Sequence, residues 1–597
     1  MKIELIADDW LMAMGMVGLK RLFEDEVEFT DYGIAFEHEI IEQIPERYFS
    51  YLLDLYDVAK RDKESLENEL ERMGNKAEQF KDIHKNIVHK MTEQKKKIDR
   101  YFSEPGLDEV IAKAKSMKKI EEIDALRQCV KNFNDIISKK EINEKLTLNY
   151  VKSVILTPLY GQVSFLNISH NKKTIEEQLN IFRKDFIVPA ILEIKWIKMI
   201  QEENEVKKIV AFLDENKSYT PFKQWLRVIK KAKNNEDIKH YMDKEVSGCT
   251  FIDGMPGTYT FEEMVFNPLG IPLNGAINFY WEFNNHKPVP ISALARLILF
   301  LIPVGTVAYR RKIGFGNQAD FLTYFGFLHF QDKFEVIYQK NNEYKQYRLS
   351  GNPFDQIIID LLKESQHKAA KKDETYLFIE FYAEYPVKKT LLDYYHMPTY
   401  AVKYFKKYAN SLKWIDRYDY REAFIRDVLK GIDPKQSLFK YFLDVIHGER
   451  DGYGAFIATR ERFRILNLKK GVENVKEKDK LVYKAFFEGK NLRNAILKQS
   501  NERAQLAGGQ YTASGNKRIQ GIAYRLLNAV KAGQRHQFLD TVFRLHMGVG
   551  LDVPTILLNV HHEKDLDFET VATSFITGLL AKDEKEEKFE MEGVVNE

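Results

Sequence analysis

The chain has 597 residues, room for three or four domains of about 150 residues each, and 44% of it is hydrophobic, enough for sizeable cores. Lys and Arg number 91 against 88 Asp and Glu, which excludes a uniformly basic or acidic protein and leaves only local charge informative. Two cysteines, Cys129 and Cys249, exclude a disulfide framework, and the longest apolar run, Leu297 to Ala308, contains Pro303 and is too short for the ~20 residues of a membrane-spanning helix.

Residues 1–55 mix apolar and acidic positions. Asp8 and Asp9 stand where a signal peptide would have cations before an apolar stretch, so a cytoplasmic protein is expected. Without further ligands the two carboxylates read as a solvated turn or a helix cap. Gly15 and Gly18 lie in a Met-rich segment that reads as domain-start packing. From 56 to 145 the pattern is helical. Leu66, Leu70, Met73, Ala77, Phe80, Ile83, Ile87 and Met91 recur at three- and four-residue steps opposite a charged face. Pro105-Gly106 breaks this run and a second charged helix follows, so an antiparallel helical hairpin is expected. Lys95, Lys96, Lys97 and Arg100 form a basic patch on it, either a solvated tip or a phosphate contact. Residues 150–245 read as mixed helices anchored by Trp196 and Trp225, with a break at Thr157-Pro158 and Tyr160-Gly161.

The segment from about 246 to 316 differs from its surroundings. Turn chemistry recurs at Gly254-Met255-Pro256-Gly257, Asn267-Pro268-Leu269-Gly270 and Asn274-Gly275, because Gly tolerates positive φ and Pro fixes φ. An apolar helix is expected from Ile291 to Tyr309, followed by Arg310, Arg311 and Lys312. A turn-rich insert between rigid elements is a common place for a recognition surface. Phe334, Val336 and Tyr338, then Asn341-Asn342, then Tyr344 and Tyr347, predict a β-hairpin. A helix over Phe354–Glu364, a strand over Tyr376–Phe381 and helices over 388–447 follow, the last with an aromatic stripe (Tyr394, Tyr395, Tyr400, Tyr404, Phe405, Tyr408) that reads as core.

Gly448 to Gly454 marks an expected boundary, dividing a body over 1–450 from a basic helical bundle over 451–582. Between Lys469 and Arg535 there are fifteen Lys and Arg against five Asp and Glu, the strongest local bias in the chain. A helix over Lys517–Arg535 sets Ile519, Ile522, Ala523, Leu526, Leu527 and Val530 on one face. Lys517, Arg518, Arg525, Lys531 and Arg535 occupy the rest, which suits phosphate contact. Residues 583–597 carry seven acids against two lysines and read as a disordered tail. The fold class predicted is α+β and predominantly helical, a mixed N-terminal body with small β elements and a C-terminal helical bundle.

No enzyme signature emerges. Gly508-Gly509 and Gly515-Asn516-Lys517 depart from P-loop spacing and lack the hydroxyl residue after the lysine. His561-His562 is the only adjacent histidine pair and has no further zinc ligands in sequence, and neither cysteine has a CxxC partner. No GxSxG occurs. A non-catalytic role is expected, with no cofactor. The alternatives are a nucleic-acid-processing enzyme with a non-standard site and a structural helical scaffold.

Three stretches carry a resemblance: Ala7-Asp8-Asp9-Trp10 with Gly15-Met16-Val17-Gly18-Leu19; Phe266-Asn267-Pro268 through Phe283 with Pro303, Gly305 and Tyr309; and Asn491-Leu492-Arg493 with Leu545 to Leu551. In these, and in the order of its parts, the chain resembles the large subunit of the CRISPR type I-B surveillance complex (Cascade) over nearly its whole length. The resemblance implies a subunit at the 5′ end of a crRNA, beside backbone, 5′-end-capping and small subunits. Such subunits recognise a short protospacer-adjacent motif in target DNA, help to open the duplex, hold the displaced strand and offer a docking surface to a helicase-nuclease. The C-terminal helical part is similar to the small subunit of these complexes. Paired CxxC motifs of the family's central region are missing here, where only Cys249 remains, so no zinc site is expected. Motif reading needs amide or guanidinium groups on turns, which makes Asn267, Asn274, Asn284, Asn285, Lys287, Arg310, Arg311 and Lys312 the candidate duplex readers. Arg493, Lys517, Arg518, Arg525, Lys531 and Arg535 are the candidate strand-holding residues. Each Asn has the alternative role of stabilising its own turn. No membrane contact is expected.

Overall fold

A computed structural model describes residues 1–75, 79–117, 119–203, 205–271, 288–313, 320–330, 332–349, 376–384, 387, 389–396, 398–415, 417–448, 452–472, 475–506, 515–563 and 565–581. Helices predominate, with sheets of three, two and four strands, so the fold is α+β and mainly helical. The chain forms two compact units, Met1–Lys345 with Phe378–Asp393, and Gln346–Leu377 with Tyr394–Glu597. The Gly448–Gly454 break thus lies inside the second unit.

The first unit begins with β1 (Lys2–Ile6), α1 (Trp10–Phe23), β2 (Val27–Phe29) and β3 (Gly33–Glu37). The strands pair antiparallel in the order β1-β3-β2, with Leu5 opposite Ile34 and Val27 opposite Phe36. Asp9 caps α1, accepting from the Leu11 and Met12 amides at 2.7 and 3.0 Å, which realises the cap reading of that acid. Every residue of α1 from Leu11 to Phe23 is buried, and Gly15 and Gly18 let another backbone approach it directly. A Cβ on Gly15 would lie 2.3 Å from the Ile298 carbonyl oxygen, and one on Gly18 would lie 2.4 Å from that of Leu301.

Next come α2 (Ile44–Leu55) and five helices with a core of their own: α3 (Val58–Asn75), α4 (Phe80–Ile98), α5 (Pro105–Ser116), α6 (Ile123–Ile137) and α7 (Lys140–Tyr150). The helical run expected through Leu66–Met91 is two helices rather than one, with α3 ending at Asn75 and α4 starting at Phe80, so the first reversal precedes Pro105-Gly106. Two of the four cations in the basic patch are neutralised locally: Lys95 pairs with Asp99 at 2.5 Å and Asp108 at 3.2 Å, and Lys96 with Glu93 at 2.6 Å, while Lys97 and Arg100 are exposed. After α8 (Thr157–Tyr160) and α9 (Ile175–Phe182), α10 (Val188–Glu202), α11 (Val206–Glu215), α12 (Thr220–Ile229) and α13 (Asn235–Glu245) pack around Trp196 and Trp225, as expected.

The apolar segment is shorter as a helix than its composition suggests. β4 (Tyr259–Thr260) and α14 (Glu263–Phe266) lead to β5 (Pro290–Ile291), then α15 (Ala293–Phe300), α16 (Ile302–Gly305) and β6 (Val307–Ile313). Ser292 caps α15, its hydroxyl accepting from the Ala295 amide at 3.0 Å. Pro303 lacks an amide hydrogen, so one continuous helix cannot reach Tyr309. The carbonyls freed near the break have side-chain donors. Tyr160 and Tyr48 hydroxyls donate to the Leu299 and Phe300 oxygens at 2.9 and 3.2 Å, and the buried Arg21 donates to the Val304 and Thr306 oxygens at 2.7 and 3.3 Å.

The four-stranded sheet runs β6-β7-β8-β9, with β7 at Asp320–Phe330, β8 at Tyr376–Glu384 and β9 at Lys389–His396. The hairpin expected over Phe334–Tyr347 is instead α17 (Phe334–Leu349). Its buried residues, Phe334, Ile337, Lys340, Asn341 and Tyr344, fall at helical steps. Asn341 is no turn residue. Its side chain brackets Leu328 of β7, accepting from the amide at 2.9 Å and donating to the carbonyl at 2.8 Å. The helix expected over Phe354–Glu364 lies outside the described residues, and the helical reading of 388–447 begins too early, because β9 occupies Lys389–His396.

The second unit contains α18 (Thr399–Tyr408), α19 (Tyr418–Leu429), α20 (Lys435–Ile446), α21 (Gly452–Lys469), α22 (Val475–Leu506), α23 (Gly515–Lys531), α24 (Arg535–Val549), α25 (Asn559–His562) and α26 (Phe568–Leu580). α26 is buried throughout except for Glu569 and its last residue, and runs against α22 at glycine distance: a Cβ on Gly578 would lie 2.0 Å from the Phe486 oxygen. Four buried charges on α21 are compensated. Arg462 pairs with Asp433 at 2.6 Å and with Asp567, the N-cap of α26, at 2.8 Å. Arg464 pairs with Asp479 at 2.5 Å and with Glu461 at 2.8 Å, and Glu461 also pairs with Arg460 at 3.1 Å and accepts from the Tyr404 hydroxyl at 2.9 Å.

Gly305→Ala is expected to destabilise the first unit by about 3 kcal/mol or more, because its methyl would lie 1.8 Å from the Met14 carbonyl oxygen of a helix that cannot retreat. A thermal melt of the purified variant checks this, and an unchanged Tm contradicts it.

Candidate nucleic-acid interface

The turn-rich segment is tied to the body at one buried acid. Glu193 of α10 is fully buried, and one of its carboxylate oxygens accepts from the Tyr219 hydroxyl at 2.8 Å and from the Thr258 hydroxyl. Its other oxygen accepts from the Ala293 amide at 2.7 Å, in the first turn of α15. One side chain thereby joins α10, the start of α12, the turn segment and the apolar helix. Burial pushes the Glu193 carboxyl up to about 7, against the downward pull of the Thr258 and Tyr219 hydroxyls and the Ala293 and Leu294 amides. Cys249 is buried, and its sulfur accepts from the Ser292 amide at 3.1 Å. Beside the Gly248–Pro256 turn lies an open cleft of about 450 Å³, lined by Ile197, Ile200, Met242 and Met255 with Lys239 and Asp243.

The predicted duplex readers separate into three groups. Asn267 is 2% exposed and its side-chain amide donates to the Pro158 carbonyl at 3.0 Å, so it holds its turn and is not offered to a base. Arg311 is also internal. It pairs with Glu380 of β8, which is fully buried and also accepts from the Tyr309 hydroxyl. The correction has a simple physical reason: side chains alternate along a strand, so of neighbouring arginines on β6 one must face the packed side. Arg310 is the exposed one, on the edge strand of the sheet. Asn274, Asn284, Asn285 and Lys287 lie outside the described residues, as does the side chain of Lys312.

The bundle residues separate likewise. Arg493 is 8% exposed and donates to the Ala581 carbonyl at 2.6 Å, so it fastens α22 to the end of α26. Arg518 is half-buried, with its guanidinium donating to the Gln499 side chain at 3.3 Å. Arg535 pairs with Glu563 at 2.5 Å and lies over the Phe568 ring. Lys517, Arg525 and Lys531 are exposed on α23, opposite the buried stripe of Ile519, Ile522, Ala523, Leu526, Leu527 and Val530. α23 ends at Lys531, four residues earlier than expected, at Gly533 with φ +66°. α23 contains no acid. Lys480, Lys484 and Lys498 on α22 are exposed as well, and among the described residues none of them pairs with a carboxylate. They escaped the sequence reading, although their spacing of four and fourteen residues keeps them on one helical face.

Bringing several cations to one helix face without acids creates a surface that attracts a polyanion and releases its counterions. The only group of three metal-ligand side chains among the described residues is the adjacent trio Glu37, His38 and Glu39, far in sequence from these faces and mostly exposed. No helix among the described residues is long and apolar enough to cross a membrane.

Glu193 gives a pH signature with a definite sign. The folded chain holds a proton on Glu193 that the unfolded chain releases at ordinary carboxylate pH, so this group's contribution is full below about pH 4.5 and is lost as pH rises through about 7. Glu193→Gln is expected to flatten the fall in stability between those values, read from denaturant melts across pH. An unchanged slope contradicts the assignment. No protein-family model matches this chain and no curated protein matches it, so its role has to be inferred from these surfaces.

Proposed function

We propose that this chain is a non-catalytic, DNA-binding large subunit of an RNA-guided CRISPR type I-B antiviral complex. Its partners in this reading are a crRNA, target DNA, the backbone, end-capping and small subunits, and a helicase-nuclease. The single observation that supports it best is the acid-free exposed face of α23, where Lys517, Arg525 and Lys531 project from a helix whose other face is core. A polyanion is the partner such a face favours, and a displaced DNA strand supplies one. Guide pairing carries most of the sequence specificity in RNA-guided recognition, so the protein needs to read only a short flanking motif. Exposed Arg310, next to the turn-rich segment in sequence, is the described candidate for that task.

The test is a salt titration. Alanine at Lys517, Arg525 and Lys531 together is expected to weaken binding of target DNA and to make the plot of log affinity against log salt shallower by about two to three, roughly 0.7–0.9 per lost phosphate contact. Unchanged affinity and slope would sink the assignment. Metal-dependent cleavage of DNA or RNA by the purified chain would favour a processing enzyme instead.

A further inference from the structure

Two helices of the second unit carry the same exposed pattern. On α22, Lys480, Lys484, Phe487, Asn491, Asn494 and Lys498 are all exposed, at steps of four, three, four, three and four residues. Such steps keep side chains on one face of a helix, here for about 27 Å at 1.5 Å per residue. On α23, Lys517, Gly521, Tyr524, Asn528 and Lys531 repeat the first four of these steps and are also exposed. The α23 seam contains no acid, whereas on α22 Glu488 lies one turn past Lys484 and exposed Glu502 one turn past Lys498. In both, the third position is aromatic and the fourth is asparagine, with lysines at either end.

The rings are placed to be used. Phe487 is 47% exposed and Tyr524 46% exposed. Phe487 stands edge-on to the buried Phe486, with ring centroids 5.6 Å apart and planes at 79°, which fixes the ring while leaving much of it in solvent. Beside Tyr524, one turn earlier, Gly521 leaves open space: a Cβ there would meet nothing within 4 Å. The helices are neighbours at one end, where Arg518 reaches Gln499 and a Cβ on Gly515 would meet Leu497.

We infer that Phe487 and Tyr524 are base-stacking platforms for a single-stranded nucleic acid whose phosphates follow the flanking lysines. The inference rests on the proposed function and deepens it, assigning the strand's bases, as well as its backbone, to named side chains. Charge selects the occupant, since the acid-free α23 seam and the lysine-rich α22 seam suit a polyanion better than an apolar protein face. The exposed rings select the unpaired form, because bases in a duplex are already stacked on each other. Stacking on an aromatic ring accepts every base, which matches a strand of arbitrary sequence.

The experiment measures binding of the full-length chain to fluorescent oligothymidine, to oligouridine and to an abasic sugar-phosphate chain of equal length, across salt. Wild type is expected to prefer the base-bearing strands. Phe487→Ala and Tyr524→Ala are each expected to weaken oligothymidine binding about tenfold, with the salt slope and the abasic affinity unchanged. Tyr524→Phe, which keeps the ring, should restore binding, and both exposed alanine variants should melt like wild type. If lysine-to-alanine changes in the seams weaken binding while the ring variants do not, stacking is overturned and the electrostatic reading stands. If neither set has any effect, both fall. A ring-dependent loss on either strand supports the platforms, and the strand with the larger loss identifies RNA or DNA as the occupant.

Discussion

The first unit depends on a close approach of backbones. α1 meets α15 and α16 through Gly15, Gly18 and Gly305, positions where an added methyl would sit about 2 Å from a carbonyl oxygen of the facing helix. Such contact is open only to glycine, and it forces the apolar segment to be buried on all sides. The break at Pro303 then needs donors for the freed carbonyls, and Tyr48, Tyr160 and Arg21 supply them. Burying an arginine against neutral carbonyls is costly, and its burial weakens its hold on the proton. It persists because four carbonyl or amide oxygens converge on it from α16, its C-terminal flank and α17. Beyond α16, β6 carries exposed Arg310 on the edge of the sheet, while the neighbouring Arg311 is paired with buried Glu380.

The second unit uses a related device for another end. Glycines at 489 and 578 seat α26 against α22, and paired buried charges on α21 fasten the N-terminus of α26. Because the core side of α22 and α23 is thereby settled, their opposite sides are free for solvent or a partner. Exposed lysines on a surface are common and each is worth little alone. Ordering them at helical intervals around an aromatic ring, on α23 without any acid, is what gives the surface a chemical preference.

Much of this was legible in the sequence. Helical periodicity marked 56–145 as helical, though as a hairpin rather than the five helices α3–α7, and marked the bundle; the two tryptophans marked the core of α10–α13, and turn dipeptides marked the tied segment. Other features were not legible for physical reasons. Aromatics satisfy period 2 and period 3.6 about equally over short windows, so α17 read as a hairpin. A lone acid inside an apolar stripe, Glu193 between Ala190 and Ile194, was the one available sign of the tie, but its partners Thr258 and Ala293 lie 65 and 100 residues away. Arg311 and Arg493 looked like their exposed neighbours, because what buries them, Glu380 and the Ala581 carbonyl, is 69 and 88 residues distant. Charge counts marked a cation-rich region of the chain, and only packing distinguished the cations that serve the core from those that face outward.

The central claim is that this chain works inside an RNA-guided assembly. Purifying it from its own cell under gentle conditions and identifying what comes with it tests that claim most directly. A crRNA and several copies of a backbone subunit are predicted to co-purify. A chain that emerges alone and free of RNA would contradict the account.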